Sequence, residues 1–201
     1  MSGGDDCDSC TQRLHALLKN SDSKAAKLLK SMNHGVFEWK ATESGAQVAI
    51  APPKKNSMAA PDGSSIVATS AATTTTLPEW INITCRKCKY LGVEGSARAF
   101  VQGPDPVSIV LCENRLSSQH YVSTALTHEL THLYDAKVLG LNFGICQQLS
   151  YSEVRAARNA ECETDECVRK HAILSTSNMF QWRGKACVDA VFAQAIRDHR
   201  P

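Results

Sequence analysis

Residues 117 to 140 constrain this chain most: a proline-free stretch with His128-Glu129-Leu130-Thr131-His132 inside it. Ser117 or Ser118 can cap a helix there, and Gly140 can stop it near Leu139. On an α-helix, residues four apart are offset by about 40° around the axis and about 6 Å along it. His128 and His132 therefore share a face and can reach one metal ion. Glu129 is turned by about 100° from His128, so it can flank the ion as a general base instead of binding it. Zinc suits two histidines and lowers the pKa of water beside it, which supplies a nucleophile near neutral pH. Chance recurrence of three fixed residues is met in about one such chain in a hundred or fewer. Uncharged neighbours on both sides suit a buried helix and favour the metal reading.

A catalytic zinc commonly takes three protein ligands and keeps one position open. Val138 stands six residues after His132, where a third histidine of the metzincin pattern would fall. Glu153 lies 21 residues after His132, a spacing that resembles the thermolysin-like set of two histidines and a glutamate. Ser150-x-x-Glu153 is also a capping box, in which the glutamate only satisfies a helix start. Glu161, Glu163, Asp165 and His171 are fallback ligands. Asp135 can orient a ligand imidazole as a supporting carboxylate, or be an exposed helix-end residue. His120 reads as a surface residue. Tyr151, Arg155 and His171 are candidates for stabilising developing negative charge. The strand expected over Val107 to Cys112 could present an edge to an extended peptide.

Three segments are expected. Residues 1–50 form an N-terminal helical segment: Leu14, Leu17 and Leu18, then Leu28, Leu29 and Met32, read as two short helices joined at Asn20 to Ser23. Gly35 closes the second, and 36–39 and 46–49 could be short strands. Residues 51–79, with Pro52-Pro53 and the Thr73 to Thr76 run, are too poor in large apolar groups to order themselves and read as a linker or insertion. Residues 80–201 form the metallopeptidase domain, with strands over 80–85 and 107–112. The long helix follows, then a helix beginning at Ser150 and a terminal one from Lys185 to Asp198. The fold class is α+β, with a small sheet before the metal helix and helices after it.

The net charge of +2 over 201 residues, with both signs interspersed, points to no nucleic-acid footprint. No apolar run approaches the roughly 18 residues of a spanning helix. Met1-Ser-Gly-Gly-Asp-Asp has the features of neither a secretory signal nor a transit peptide, so import into an organelle would need another route. Nine cysteines are many for a reducing compartment. Cys7-x-x-Cys10 and Cys85-x-x-Cys88 could build a four-thiolate zinc site, or pair as disulfides with each other or with Cys112 and Cys146. Cys162 and Cys167 fall on a helical stretch, with Cys187 beyond.

From His128-Glu129-Leu130-Thr131-His132-Leu133-Tyr134-Asp135 outward, the chain resembles a family. It is that of the mitochondrial inner membrane zinc metalloproteases that assist ATP synthase assembly, also described as Ku-binding proteins. Cys85-x-x-Cys88, Leu111-Cys112-Glu113-Asn114, Ser152-Glu153-Val154-Arg155-Ala156, Glu166-Cys167-Val168-Arg169 and Arg197-Asp198-x-Arg200-Pro201 carry the resemblance in one order from about Thr84 to Pro201. It implies a zincin-like endopeptidase with one Zn2+ per chain on His128, His132 and Glu153 and with Glu129 as catalytic base. It also implies a peripheral place on the inner membrane facing the intermembrane space, protein substrates and ATP synthase subunits as partners. Import coupled to cysteine oxidation would favour disulfides. The alternative is a non-proteolytic assembly chaperone or binding module, including a nuclear Ku partner, that keeps the metal site. The 51–79 stretch and the lack of cysteine after Cys187 depart from the family pattern.

Overall fold

Val48, Ile81, Ile83, Ile109 and Leu111 are fully buried, and the strands that carry them assemble the sheet on which the rest of the chain is built. The computed structural model describes residues 5–33, 38–50, 79–91, 94–103 and 107–201. Strands β1 (Trp39–Thr42), β2 (Gly45–Ile50), β3 (Glu79–Arg86), β4 (Ala99–Gln102) and β5 (Ser108–Cys112) lie in the order β1-β2-β3-β5-β4. The β3–β5 pair is parallel and the other three are antiparallel. In β5, Ile109 and Leu111 join the main core while Val110 and Cys112 pack with Phe100 on the opposite face. Burial on both faces explains why this strand is apolar throughout.

Helices α1 (Asp5–Lys19) and α2 (Lys24–Met32) form the expected N-terminal pair. Ser23 caps α2 by accepting from the Ala26 N–H at 3.1 Å. Their apolar faces, Leu14, Leu17, Leu18, Leu28, Leu29 and Met32, belong to the same core as β2, β3 and β5. Because β2 pairs with β3, the described part of residues 1–50 shares one sheet and one core with residues 80–201. Residues 51–78, and Gly35 to Phe37, lie outside the described residues.

Helix α3 (Gln119–Lys137) follows the sheet, capped by Ser118, whose hydroxyl accepts from Tyr121 N–H. Gly140, at φ +71°, takes the left-handed conformation that turns the chain after it. Helices α4 (Cys146–Ala160), α5 (Asp165–Phe180) and α6 (Gly184–Ala195) form a second core around Val154, Ala157, Val168, Ala172, Val188 and Phe192. The expectation that α4 begins at Ser150 is corrected: Ile145 holds the cap position, one turn earlier. An Asn142 turn launches it, with Gly144 N–H donating to Asn142 Oδ1 at 2.9 Å and Asn142 N–H to Gln148 Oε1 at 2.6 Å.

Four disulfides are present among the described residues. Cys10–Cys85 ties α1 to β3, and Cys88–Cys112 joins the ends of β3 and β5. Cys146–Cys187 links α4 to α6, and Cys162–Cys167 closes the α4–α5 turn. The four-thiolate zinc alternative falls, because Cys10, Cys85 and Cys88 are all consumed. The side chain of Cys7 lies outside the described residues. No described helix is long and apolar enough to cross a membrane.

Candidate active site

Helix α3 buries Val122, Leu126, Leu130 and Leu133 in the main core, which turns His128 and His132 towards α4. Their Nε2 atoms lie 3.0 Å apart. Glu153, on α4, brings Oε2 to 3.6 Å from each of them. One ligand atom from each of these three residues falls within 4.8 Å of the others. Glu153 stands inside α4 rather than at its start, so the capping-box alternative is gone. Its carboxyl is hydrogen-bonded by Ser175, yet the buried Oε2 makes no hydrogen bond within the protein.

Burial dominates the ionisation of the groups around this point. Burial pushes the His128 imidazole down, with His171 adding to the effect and Glu161 opposing it. Burial and the neighbouring His128 push His132 well below its ordinary range. Burial, Glu129 and Glu161 push Glu153 up to about 8, and burial with Glu161 does the same to Glu129. Neutral imidazoles thus face carboxyls that burial keeps protonated, with one buried Glu153 oxygen left unsatisfied. Two histidine nitrogens and one carboxylate oxygen are a donor set that fits a divalent metal such as zinc, so the residues present suit one.

Behind the histidines runs a buried polar chain. Ser152 Oγ lies 2.7 Å from His132 Nδ1, and Ser152 draws the nearby Asp135 carboxyl down against the effect of burial. Asp135 is fully buried, which removes the exposed helix-end alternative, and neither of its oxygens accepts a hydrogen bond among the described residues. Its Oδ1 lies 3.1 Å from Nε of Arg155, itself fully buried. Arg155 Nη1 reaches Asp198 Oδ2 at 2.5 Å, and Nη2 donates to the carbonyls of Arg200 and Pro201. Burial pushes the Asp135 carboxyl up to about 6, against the opposing pull of Arg155 and Ser152. Arg155 is thus a structural ion-pair partner, not a group for substrate. Tyr151 likewise bonds Asp198 at 2.8 Å, away from the histidines. Ser152 carries no spacing signal in the sequence, since nothing in a lone serine reveals which imidazole it meets.

A cleft of about 720 Å³ opens over His128 and Glu129, walled by residues 94–99 before and into β4 and by His171, Leu174 and Asn178 of α5. Glu129 accepts a hydrogen bond from the Val101 backbone N–H of β4. Glu161 bridges two histidines, 3.6 Å from His128 Nδ1 and 3.0 Å from His171 Nδ1. It therefore approaches the far nitrogen of His128, not the point where the Nε2 atoms meet. Glu163, Asp165 and His120 are exposed and do not join the cluster. The expected peptide edge is also corrected: β5 is paired on both sides, and β4 is the outer strand beside the cleft. Four residues with little alternation, Ala99 to Gln102, gave no strand signal in the sequence.

A family model described as the Peptidase M76 family matches residues 66–201. The chain belongs to that family. Among curated relatives, it is similar to the mitochondrial inner membrane protease ATP23 homolog of Homo sapiens, 32% identical over 113 residues that cover 46% of each chain. It is 26% identical over 141 residues to the mitochondrial inner membrane protease atp23 of Schizosaccharomyces pombe, covering 60% of this chain and 72% of that one. The protein of the same name from Lodderomyces elongisporus is 29% identical over 141 residues, 59% of this chain and 55% of its own. The chain spans about half the length of the human relative it matches. No solved structure matches it. Membership makes this a peptidase-family protein, and the cleft over Glu129 is its candidate peptide-binding site.

Proposed function

We propose that this M76 member is a zincin-like, zinc-dependent endopeptidase, with one Zn2+ held by His128, His132 and Glu153 and with Glu129 as general base. The observation that carries the reading is the convergence of two neutral imidazole nitrogens on a buried Glu153 oxygen that has no hydrogen bond of its own. Zinc, when bound, polarises a carbonyl and lowers the pKa of water. The chain's own residues do the rest. His132 Nδ1–H donates to Ser152 Oγ, which leaves the Nε2 lone pair for the metal. Glu129, steadied by the Val101 N–H, accepts a proton from water and returns it to the leaving amine. The free edge of β4 lets an extended peptide add as a further strand.

Elemental analysis tests the site. Wild type should carry about one zinc per chain, lost in both His128→Ala and Glu153→Ala. Zinc kept in Glu153→Ala would remove that residue from the site, and zinc kept without His128 would place the metal elsewhere. Asp135→Asn should weaken zinc binding by about 10- to 100-fold, read by competition with a chromophoric chelator. Unchanged affinity would leave Asp135 a partner of Arg155 alone.

The relatives' names support a place at the mitochondrial inner membrane, and the four disulfides support an oxidising compartment such as the intermembrane space. There the protein would process mitochondrial proteins and assist assembly of the ATP synthase membrane sector. The same disulfides speak against a nuclear role as a Ku partner, where thiols stay reduced.

A further inference from the structure

A second cleft, of about 230 Å³, opens where α2, the end of α4 and residues 199–201 meet, apart from the peptide cleft. Its lining includes Lys24, Lys27, Arg158, His199, Arg200 and Pro201, with no aspartate or glutamate side chain among the described lining residues. The whole chain carries only +2, so this is a local concentration of charge and not a share of a basic surface. Little within the protein neutralises it. Asp198 pairs with Arg200, but the same carboxylate also serves Arg155 and Tyr151. Lys24 and Arg158 bond only neutral groups, the Asn159 carbonyl and the Ile196 carbonyl with the Asn159 side chain. Among the described residues, the side chains of Lys27 and His199 make no hydrogen bond or ion pair. Lys24 and Lys27 fall within the first four residues of α2, where the helix dipole disfavours cations and no acid offsets them. Burial, with a smaller contribution from Arg155, pushes the Arg158 guanidinium down, and Asp198 opposes it.

We propose that this cleft binds a phosphate group, and that the phosphate belongs to the headgroup of an acidic phospholipid. Two guanidinium and two ammonium groups around one opening match a multiply charged oxyanion better than a single carboxylate. The lipid source, but not the phosphate chemistry, rests on the membrane placement proposed above. No described helix crosses a bilayer, and a headgroup site would hold the protein at the surface without one.

The test uses the full oxidised chain. It should sediment with phosphatidylcholine vesicles that contain phosphatidylglycerol, and not with phosphatidylcholine alone. Each basic residue near an anionic surface is worth roughly five-fold in partition, so Lys24→Ala with Lys27→Ala should lower it about 25-fold. The charge-matched pair Lys170→Ala with Lys185→Ala, outside the cleft, should keep wild-type partition. Glycerol 3-phosphate should raise the Tm of wild type and not of the Lys24/Lys27 variant, at matched ionic strength in chloride. Equal partition in both double variants would overturn the site. Thermal protection by glycerol 3-phosphate without vesicle binding would support the phosphate site and overturn the lipid source. Neither response would overturn both. A failure of the peptidase reading would show in the zinc analysis, which none of these measurements enters.

Discussion

Glu129→Gln is expected to lower peptide cleavage by about 10²- to 10⁴-fold while the zinc content stays at the wild-type level. The amide keeps the size of the carboxyl but cannot take up a proton. Metal should remain, because the converging ligand atoms come from His128, His132 and Glu153 and not from Glu129. The measurement is single-turnover cleavage of a fluorogenic peptide beside elemental analysis on the same preparation. The variant also separates the two activities proposed for the chain, since an assembly role that survives it would not depend on cleavage. Cutting at the wild-type rate would assign the general base to another group.

Removing the Cys10–Cys85 disulfide, by Cys10→Ala with Cys85→Ala, is expected to cost about 4 kcal/mol of stability. The bond closes a loop of sequence separation 75, and a long loop gains most unfolded-state entropy when it is opened. It also pins α1 over the inner face of the sheet, where Leu14 and Leu18 are buried. The Cys162–Cys167 bond spans a separation of 5 and should be worth about 2 kcal/mol by the same reasoning. Denaturant unfolding of the oxidised variants measures both. Equal losses, or a larger loss for the short loop, would show that native packing and not chain entropy sets the contribution of these bonds.

Legibility of the site followed distance along the chain. His128, Glu129 and His132 lie within one turn and a half of helix, so their placement needed only the helical repeat. Glu153 could be named from its spacing and preferred as a ligand because zinc needs a third group, but the spacing alone did not remove the helix-cap reading. The choice depended on where α4 begins, and the Asn142 turn moved that start one turn ahead of Ser150. Asp135 was visible as a carboxylate on the right face, whereas the Ser152 hydroxyl against His132 was not. Arg155 and Tyr151 looked equally suited to a substrate until burial with Asp198 removed them from the cleft.

The fold divides in the same way. Apolar periodicity placed α1, α2, α3 and α6 and the two strands richest in β-branched residues, because each buries a face whose spacing is written locally. Strand order was not so written. β4 is short and lies outside β5, which turned the expected free edge into a paired one. By itself, then, the sequence determined the helix that sets His128 and His132 on one face with Glu129 beside them, since backbone geometry alone carries residue 128 to residue 132. Only the tertiary structure brought Glu153 and Ser152 to those histidines and set the strand that borders the cleft. Those placements depend on how α3 packs between the sheet and α4, and that packing joins buried surfaces from distant parts of the chain.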